Sequence, residues 1–368
     1  MTLGIARSAI LSVAILCARD AAPPDGASSI RQVGTLRPAR SVHTATTLAT
    51  GEVLIAGGMV DGGGSVARVE IFDPSGNTLR NGAPLAHARA GHTATTLRDG
   101  RVLIAGGYDG TYLASMELYD PATKTFRDGG AMTEGRSGHT ATLLSDGRVL
   151  FTGGVGDGWT FLRTAEIYDP ATRRSSAVGS MQLARESHMA ALLRDGRVLM
   201  VGGHANRRPN VVIHTLAEVF DPATQTFASA GSMSTPRHKH DTVTLPDGRV
   251  LVIGGADVTD RVHFATTEIW DPATSAFTAG PAMRERRYKI AGTSVVLPGG
   301  DVLVTSGSRV AELLDHRRGT FTPVRGELPD ALRFSATALL ADGDVLISGG
   351  YSDGNRASSG VWRVRRSP

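Results

Sequence analysis

The sequence predicts an all-β chain in which seven copies of one four-stranded unit close into a ring. Three observations predict it. A Val-Leu pair recurs at Val53, Val102, Val149, Val198, Val250, Val302 and Val345, 43 to 52 residues apart, and a period of that length marks a repeat architecture. Each pair opens a short apolar run ending in Gly-Gly, or in Ser-Gly at Ser306. The start of the chain carries the one strand that the last copy lacks.

One copy shows the elements in order. Residues 92–97 (HTATTL) alternate small and larger side chains, as a strand with two different faces would. Asp99-Gly100 follows and is expected to make a two-residue hairpin with positive φ. The dipeptide returns at Asp146-Gly147, Asp195-Gly196, Asp247-Gly248 and Asp342-Gly343. Residues 102–107 (VLIAGG) are apolar on both faces, which suits a strand buried between neighbouring sheets. In residues 117–121 (ELYDP) the Asp-Pro pair stops a third strand and starts a turn. The fourth strand begins near Phe126 and runs towards Met132.

The seventh copy ends at residues 361–365 (VWRVR) with no fourth strand after it. Ile30, Leu36 and Arg40 repeat the spacing of Phe126, Met132 and Arg136, so residues 28–36 read as that missing strand. Closing the ring in this way removes open sheet edges. The sixth copy departs from the pattern: it lacks the His before its first strand, and Asp315-His316 replaces Asp-Pro. Its stretch 290–297 is about two residues longer, and the seventh copy lacks both the His and the Glu.

Gly-Gly after the second strand, Glu before an aromatic-Asp pair, and an aromatic opening the fourth strand resemble the kelch repeat over about residues 28–364. The resemblance implies an all-β, seven-bladed β-propeller occupying residues 28–368, with first strands around a central channel and fourth strands outermost.

Composition sets limits on function. Hydrophobic residues at 41% can fill a large core. A net charge of +4 over 368 residues, without a lysine-rich run, gives no footprint for nucleic acid. Residues 8–18 form an apolar stretch too short to span a bilayer, flanked by a basic start and a polar, proline-bearing segment. Residues 1–22 are therefore expected to be a signal peptide, and the chain to be exported to the periplasm, the cell surface or the medium, as a bacterial protein. Cys17, the one cysteine, lies inside this segment and offers a lipid-anchor site if it is acylated. The body is expected to hold no disulfide or thiolate metal site.

The periodic residues read as structural. His43, His92, His139, His188 and His240 occupy equivalent places in different blades, too far apart for imidazoles about 2 Å from one ion. Glu70, Glu117, Glu166, Glu218, Glu268 and Glu312, with Arg40, Arg89, Arg136, Arg185, Arg237 and Arg287, suggest one ion pair or backbone tie per blade. The Gly/Asp loops around Asp61, Asp109, Asp157 and Asp353 lack the acidic spacing of a calcium loop and read as turns. No metal and no cofactor is expected.

Function is expected where the copies differ, on the face carrying the loops between second and third strands. Basic residues concentrate there in blades four to six: Arg207 and Arg208 beside His204; Arg237, His238 and Lys239 beside His240; then Arg284, Arg286 and Arg287. Focused positive charge would draw a carboxylate, sulfate or acidic peptide. The expectation is a monomeric, non-catalytic binding or scaffold protein for a protein or acidic carbohydrate. The alternative is a carbohydrate-active propeller similar to the sialic-acid mutarotases, with Glu285 and His240 as acid or base. The copper-radical oxidases similar to galactose oxidase need a Tyr-Cys crosslink, and the body has no cysteine for it.

Overall fold

A computed structural model describes residues 29–365; the N-terminal apolar segment and Cys17 lie outside the described residues. Seven four-stranded antiparallel sheets form seven blades. Blade 1 comprises Thr44–Thr47, Val53–Ala56, Val69–Asp73 and Thr78–Asn81, and the next five blades repeat that order. Blade 7 comprises Ala336–Leu339, Val345–Ser348, Gly360–Arg365 and, from the other end of the chain, Ser29–Thr35. The closing strand pairs Ser29 with Arg365 and Thr35 with Gly360, with a bulge between Gln32 and Gly34. Among the described residues no helix is long and apolar enough to cross a membrane.

The second strands are the core. All four residues of Val53–Ala56, Val102–Ala105, Val149–Thr152, Val198–Val201, Val250–Ile253 and Val345–Ser348 are buried, because both faces of each blade lie against a neighbour. Apolar clusters fill each space between blades, as where Leu54, Ile71, Val102, Ile104 and Tyr119 join blades 1 and 2.

The Asp-Gly turns differ from expectation. Leu97 N–H donates to Arg101 O and Gly100 N–H to Leu97 O, so the loop has three residues. Only Gly100 takes a positive φ, +83°, while the Asp99 carboxylate accepts from Arg101 N–H. This is the three-residue hairpin that ends in a left-handed glycine.

The periodic Arg and Glu form one buried pair per blade: Arg40–Glu70, Arg89–Glu117, Arg136–Glu166, Arg185–Glu218, Arg237–Glu268 and Arg287–Glu312, at 2.7 to 3.1 Å. In all but Arg40 the Arg also donates to the carbonyl just after the second strand, as Arg89 does to Gly106 O at 2.6 Å. The Glu accepts backbone N–H groups from the connection between blades, as Glu117 does from Ala86 and His87. Each pair thus fixes the angle at which the chain enters its blade. Blade 7 replaces both partners together. Leu332 stands in the Arg position and Trp362 in the Glu position, and the two share one apolar cluster. Exchanging both charges for matched apolar groups leaves no uncompensated ion.

The His series ties blades in sequence. His92 Nε2 hydrogen-bonds Thr44 Oγ1 at 3.0 Å, His139 bonds Thr93 at 3.1 Å, and His188 bonds Thr140 and Thr152; His43 closes the circle onto Ser348 at 2.8 Å. His240 is the exception. Met189 occupies the place of the hydroxyl, and both of its buried ring nitrogens lack a partner. In blade 6 Ile290 replaces the His, and the Asp241 carboxylate accepts from Gly292, Thr293 and Ser294 N–H instead, absorbing the longer segment.

Candidate functional site at the channel mouth

The connections between blades meet the loops between second and third strands on one face. Isolated antiparallel bridges join them: Ser41 to Met59, Ala90 to Tyr108, Ser137 to Val155, Glu186 to His204, His238 to Ala256 and Arg333 to Tyr351. Residues directly opposite in such a bridge bring their side chains together. In blades 1 to 3 these positions hold small, apolar or Tyr residues. Blade 4 places Glu186 against His204, blade 5 adds His238, and blade 7 adds Arg333 and Tyr351.

Just inside these bridges lies a collar. Val42, Gly91, Gly138, Ser187, Lys239, Lys289 and Phe334, one per blade, all take φ between +47° and +65°. Six backbone hydrogen bonds of 2.7 to 3.2 Å run around them, each N–H donating to the carbonyl of the preceding blade's member. Five of the seven are not glycine, and holding them left-handed costs about 1–2 kcal/mol per residue. The collar bonds and the blades beneath offset this, so the mouth is a rigid aperture.

A bowl of about 350 Å³ opens above the collar, lined by Tyr108, Tyr112, Trp159, Phe161, Glu186, His204 and Lys239 among others. Tyr112 meets the Trp159 ring edge-on at 6.1 Å, and Phe161 packs against the His204 ring at 5.4 Å. Behind His204 a second cleft of about 370 Å³ is lined by Arg207, Arg208, His238 and Asp260.

A polar chain links the two spaces. Glu186 Oε2 lies 3.4 Å from His204 Nδ1, and His204 Nδ1 is 3.0 Å from His238 Nδ1. His238 Nε2 lies 2.9 Å from Asp260 Oδ1. Lys239 Nζ donates to Asp260 Oδ2 at 2.6 Å, and Arg208 reaches the same oxygen at 3.3 Å. The environments push the groups apart. Burial pulls the His204 imidazole down to about 3, aided by the nearby His238 and Lys239, so it is neutral. Burial raises the Glu186 carboxyl above its ordinary range, against the pull of the nearby Ser187 and Lys239. Burial also works to raise Asp260, but His238 and Lys239 outweigh it and hold the carboxyl well below the usual carboxylate range.

The structure divides the basic sector read from the sequence. Arg207, Arg208, His238 and Lys239 come together, with Arg207 stacked 4.3 Å over the Trp159 ring. Arg237 and Arg287 do not join them: both are fully buried in the blade-entry pairs with Glu268 and Glu312. Arg284 and Arg286 are exposed but line neither space. Of the two acid–base candidates, His240 is sealed inside the blade packing and Glu285 stands exposed away from the bowl. The residues missed were Glu186 and Asp260. Glu186 carries a signal in hindsight, because it follows the periodic Arg185, a position otherwise held by Ser41, Ala90, Ser137, His238, Tyr288 and Arg333.

Comparison with known proteins bears on these assignments. A family model described as the Kelch motif matches residues 88–133, which run from the connection after blade 1 through the whole of blade 2. No curated protein matches the chain. Among solved structures the ring is similar to a fungal alcohol oxidase of the AA5 family in complex with copper, at 17% identity and a TM-score of 0.73. The match covers 93% of this chain and 76% of that one. This corrects the expectation of a binding or scaffold protein without catalysis. The same ring serves a catalyst, so repeat symmetry gives no ground for excluding chemistry. Residues 29–365 contain no cysteine for a crosslinked tyrosine. Among the described residues no three His, Cys, Asp or Glu side chains are placed to hold a metal ion.

Proposed function

From the premise that the chain is a kelch-repeat β-propeller, we propose that it is an enzyme whose site is the bowl at the channel mouth. The reaction class is general acid–base catalysis on a small-molecule substrate. One observation carries this reading: Glu186 and His204 are held 3.4 Å apart by a backbone bridge, and burial shifts them in opposite senses, raising the carboxyl and lowering the imidazole. Two titratable groups shifted in opposite senses are the working parts of proton transfer.

In this reading Glu186 gives a proton to the substrate as His204 takes one from it. Deprotonating Glu186 while protonating His204 would place opposite charges side by side, where each stabilises the other. The His238–Asp260 pair then serves as positioning support, since His238 fixes the His204 ring through its Nδ1. Tyr112, Trp159 and Phe161 give the substrate apolar walls, while Lys239, Arg207 and Arg208 attract an anionic group from the side. Export of the mature chain also belongs to this proposal. It rests on the apolar segment at residues 8–18, and N-terminal mass analysis of the secreted and cell-bound protein tests it.

The activity test is a panel of cyclic and open-chain carboxylates incubated with protein in D₂O and followed by NMR. Turnover or deuterium incorporation is expected with the wild type. Glu186→Gln and His204→Asn should each lower the rate about 10²–10⁴-fold without lowering the melting temperature substantially. Turnover that survives in both variants would overturn the assignment.

A further inference from the structure

Below the collar lies a third space, of about 420 Å³, inside the central channel. Its wall is made from first strands: Thr44, Thr93 and Thr140, Ala94, Ala141 and Ala190, and Met189. The threonine hydroxyls and the imidazole Nε2 atoms here are engaged, while the buried Nδ1 atoms of His43, His92, His139 and His188 are left without a partner. Each of these threonine hydroxyls is bonded to the His of the next blade. Burial holds those His rings below their ordinary range, with His92 at about 3, so they carry no charge. Among the residues lining this space Glu186 is the only Asp, Glu, Lys or Arg.

The channel and the bowl meet at one place. Val42, Gly91, Ser137 and Glu186 line both spaces. Gly91 and Gly138 are adjacent members of the collar and present no side chain there. A Cβ at Gly138 would stand 2.6 Å from Glu186 Oε1, and one at Gly91 would stand 2.5 Å from Ser137 Oγ. The two glycines thus make room for the Glu186 carboxyl and the Ser137 hydroxyl at the neck. Glu186 sits between an aromatic, partly basic bowl and an uncharged channel.

We propose that the channel is a subsite for an uncharged, mainly apolar tail of the substrate, so that the molecule is an amphiphile with an anionic head. The head occupies the bowl near Lys239, the tail passes the Gly91–Gly138 side of the collar, and the bond or proton worked on lies at Glu186. This deepens the acid–base reading and rests on it for the identity of the reacting position. Tail binding itself does not depend on proton transfer. Small walls without charge favour methylene groups over water, while an ionised tail would lose its hydration with no partner in return. The rigid collar sets the width, so an unbranched chain is preferred to a branched one.

The test uses straight-chain alkanoates from butanoate to dodecanoate, with binding measured by isothermal titration below their micelle concentrations. Affinity should rise about threefold to fourfold per methylene until the channel is full, then level off. Two variants put side chains into the channel. Gly292 has φ +69° with nothing within 4 Å of an added Cβ, so Gly292→Asn fits a left-handed position asparagine tolerates. Ala291→Gln projects from the neighbouring exposed position. Both should flatten the chain-length dependence while leaving butanoate affinity within about twofold. Equal slopes in wild type and both variants, or no dependence on length, would overturn the subsite. Glu186→Gln separates the two ideas: it should keep the chain-length dependence even though the acid–base reading requires it to lose turnover.

Discussion

Acidification should unfold this propeller from within, because its blades are joined through histidines that must stay neutral. His43, His92, His139, His188 and His240 are buried, and burial, followed by the charge of the adjacent Arg, pulls each below its ordinary range. The folded pKa of each is depressed below the unfolded value of about 6.5. The unfolded chain therefore binds protons first as pH falls, and stability present above 6.5 is lost progressively below it. At pH 5.5 each ring loses about 1.4 kcal/mol relative to pH 7.5, so five acting together lose about 7 kcal/mol. That is comparable to the whole stability of many folded domains, about 5–15 kcal/mol. Urea unfolding at half-unit steps from pH 7.5 to 5.0 measures it, with proton uptake on unfolding as an independent readout. His139→Asn should remove about 1.4 kcal/mol of the loss between pH 7.5 and 5.5. A change under about 2 kcal/mol down to pH 5.5, or NMR titration of these rings near 6.5, would refute the reasoning.

Two further outcomes follow from the repeat. Glu218→Gln leaves the buried Arg185 charge without its counter-ion and should cost about 3–5 kcal/mol by urea unfolding. The double change Arg185→Leu with Glu218→Trp copies the Leu332–Trp362 pair of blade 7 and should cost less than the two single changes added together; strict additivity would count against coupling. Met189→Thr supplies His240 with the hydroxyl that its counterparts have, and should stabilise by about 1 kcal/mol less what the lost thioether packing contributes. Met189→Ala is the control, and a Thr variant no more stable than the Ala variant would show that the bond does not form.

The fold was legible because a ring of equivalent blades forces the same residue types to recur at one period. The Val-Leu runs had to be apolar on both faces, the entry Arg needed its Glu, and the closing strand had to copy the spacing of Phe126, Met132 and Arg136. The turns were legible only in part. Asp-Gly announces a left-handed glycine but not the residue count, which the Leu97 to Arg101 bond decides.

The site was harder to read, for a reason that the charge distribution shows. Arg237 and Arg287 belong to two patterns in the sequence: a series with one copy per blade, and a basic sector special to blades four to six. A side chain that solves a problem common to every blade is committed to it, here by a carboxylate at 2.9 to 3.1 Å, and has no donor turned towards a ligand. With the series subtracted, Arg207, Arg208, His238, Lys239, Arg284 and Arg286 remain, and the first four of these share one cleft. The same subtraction applied to the residue after each entry Arg isolates Glu186 as the carboxylate of that set. What no subtraction supplies is the pairing of Glu186 with His204. That pairing depends on a bridge between a blade connection and a loop whose length varies from copy to copy, so no fixed spacing encodes it. In a symmetric ring the chemistry collects where the period fails, and the contacts that assemble it are the ones a period cannot report.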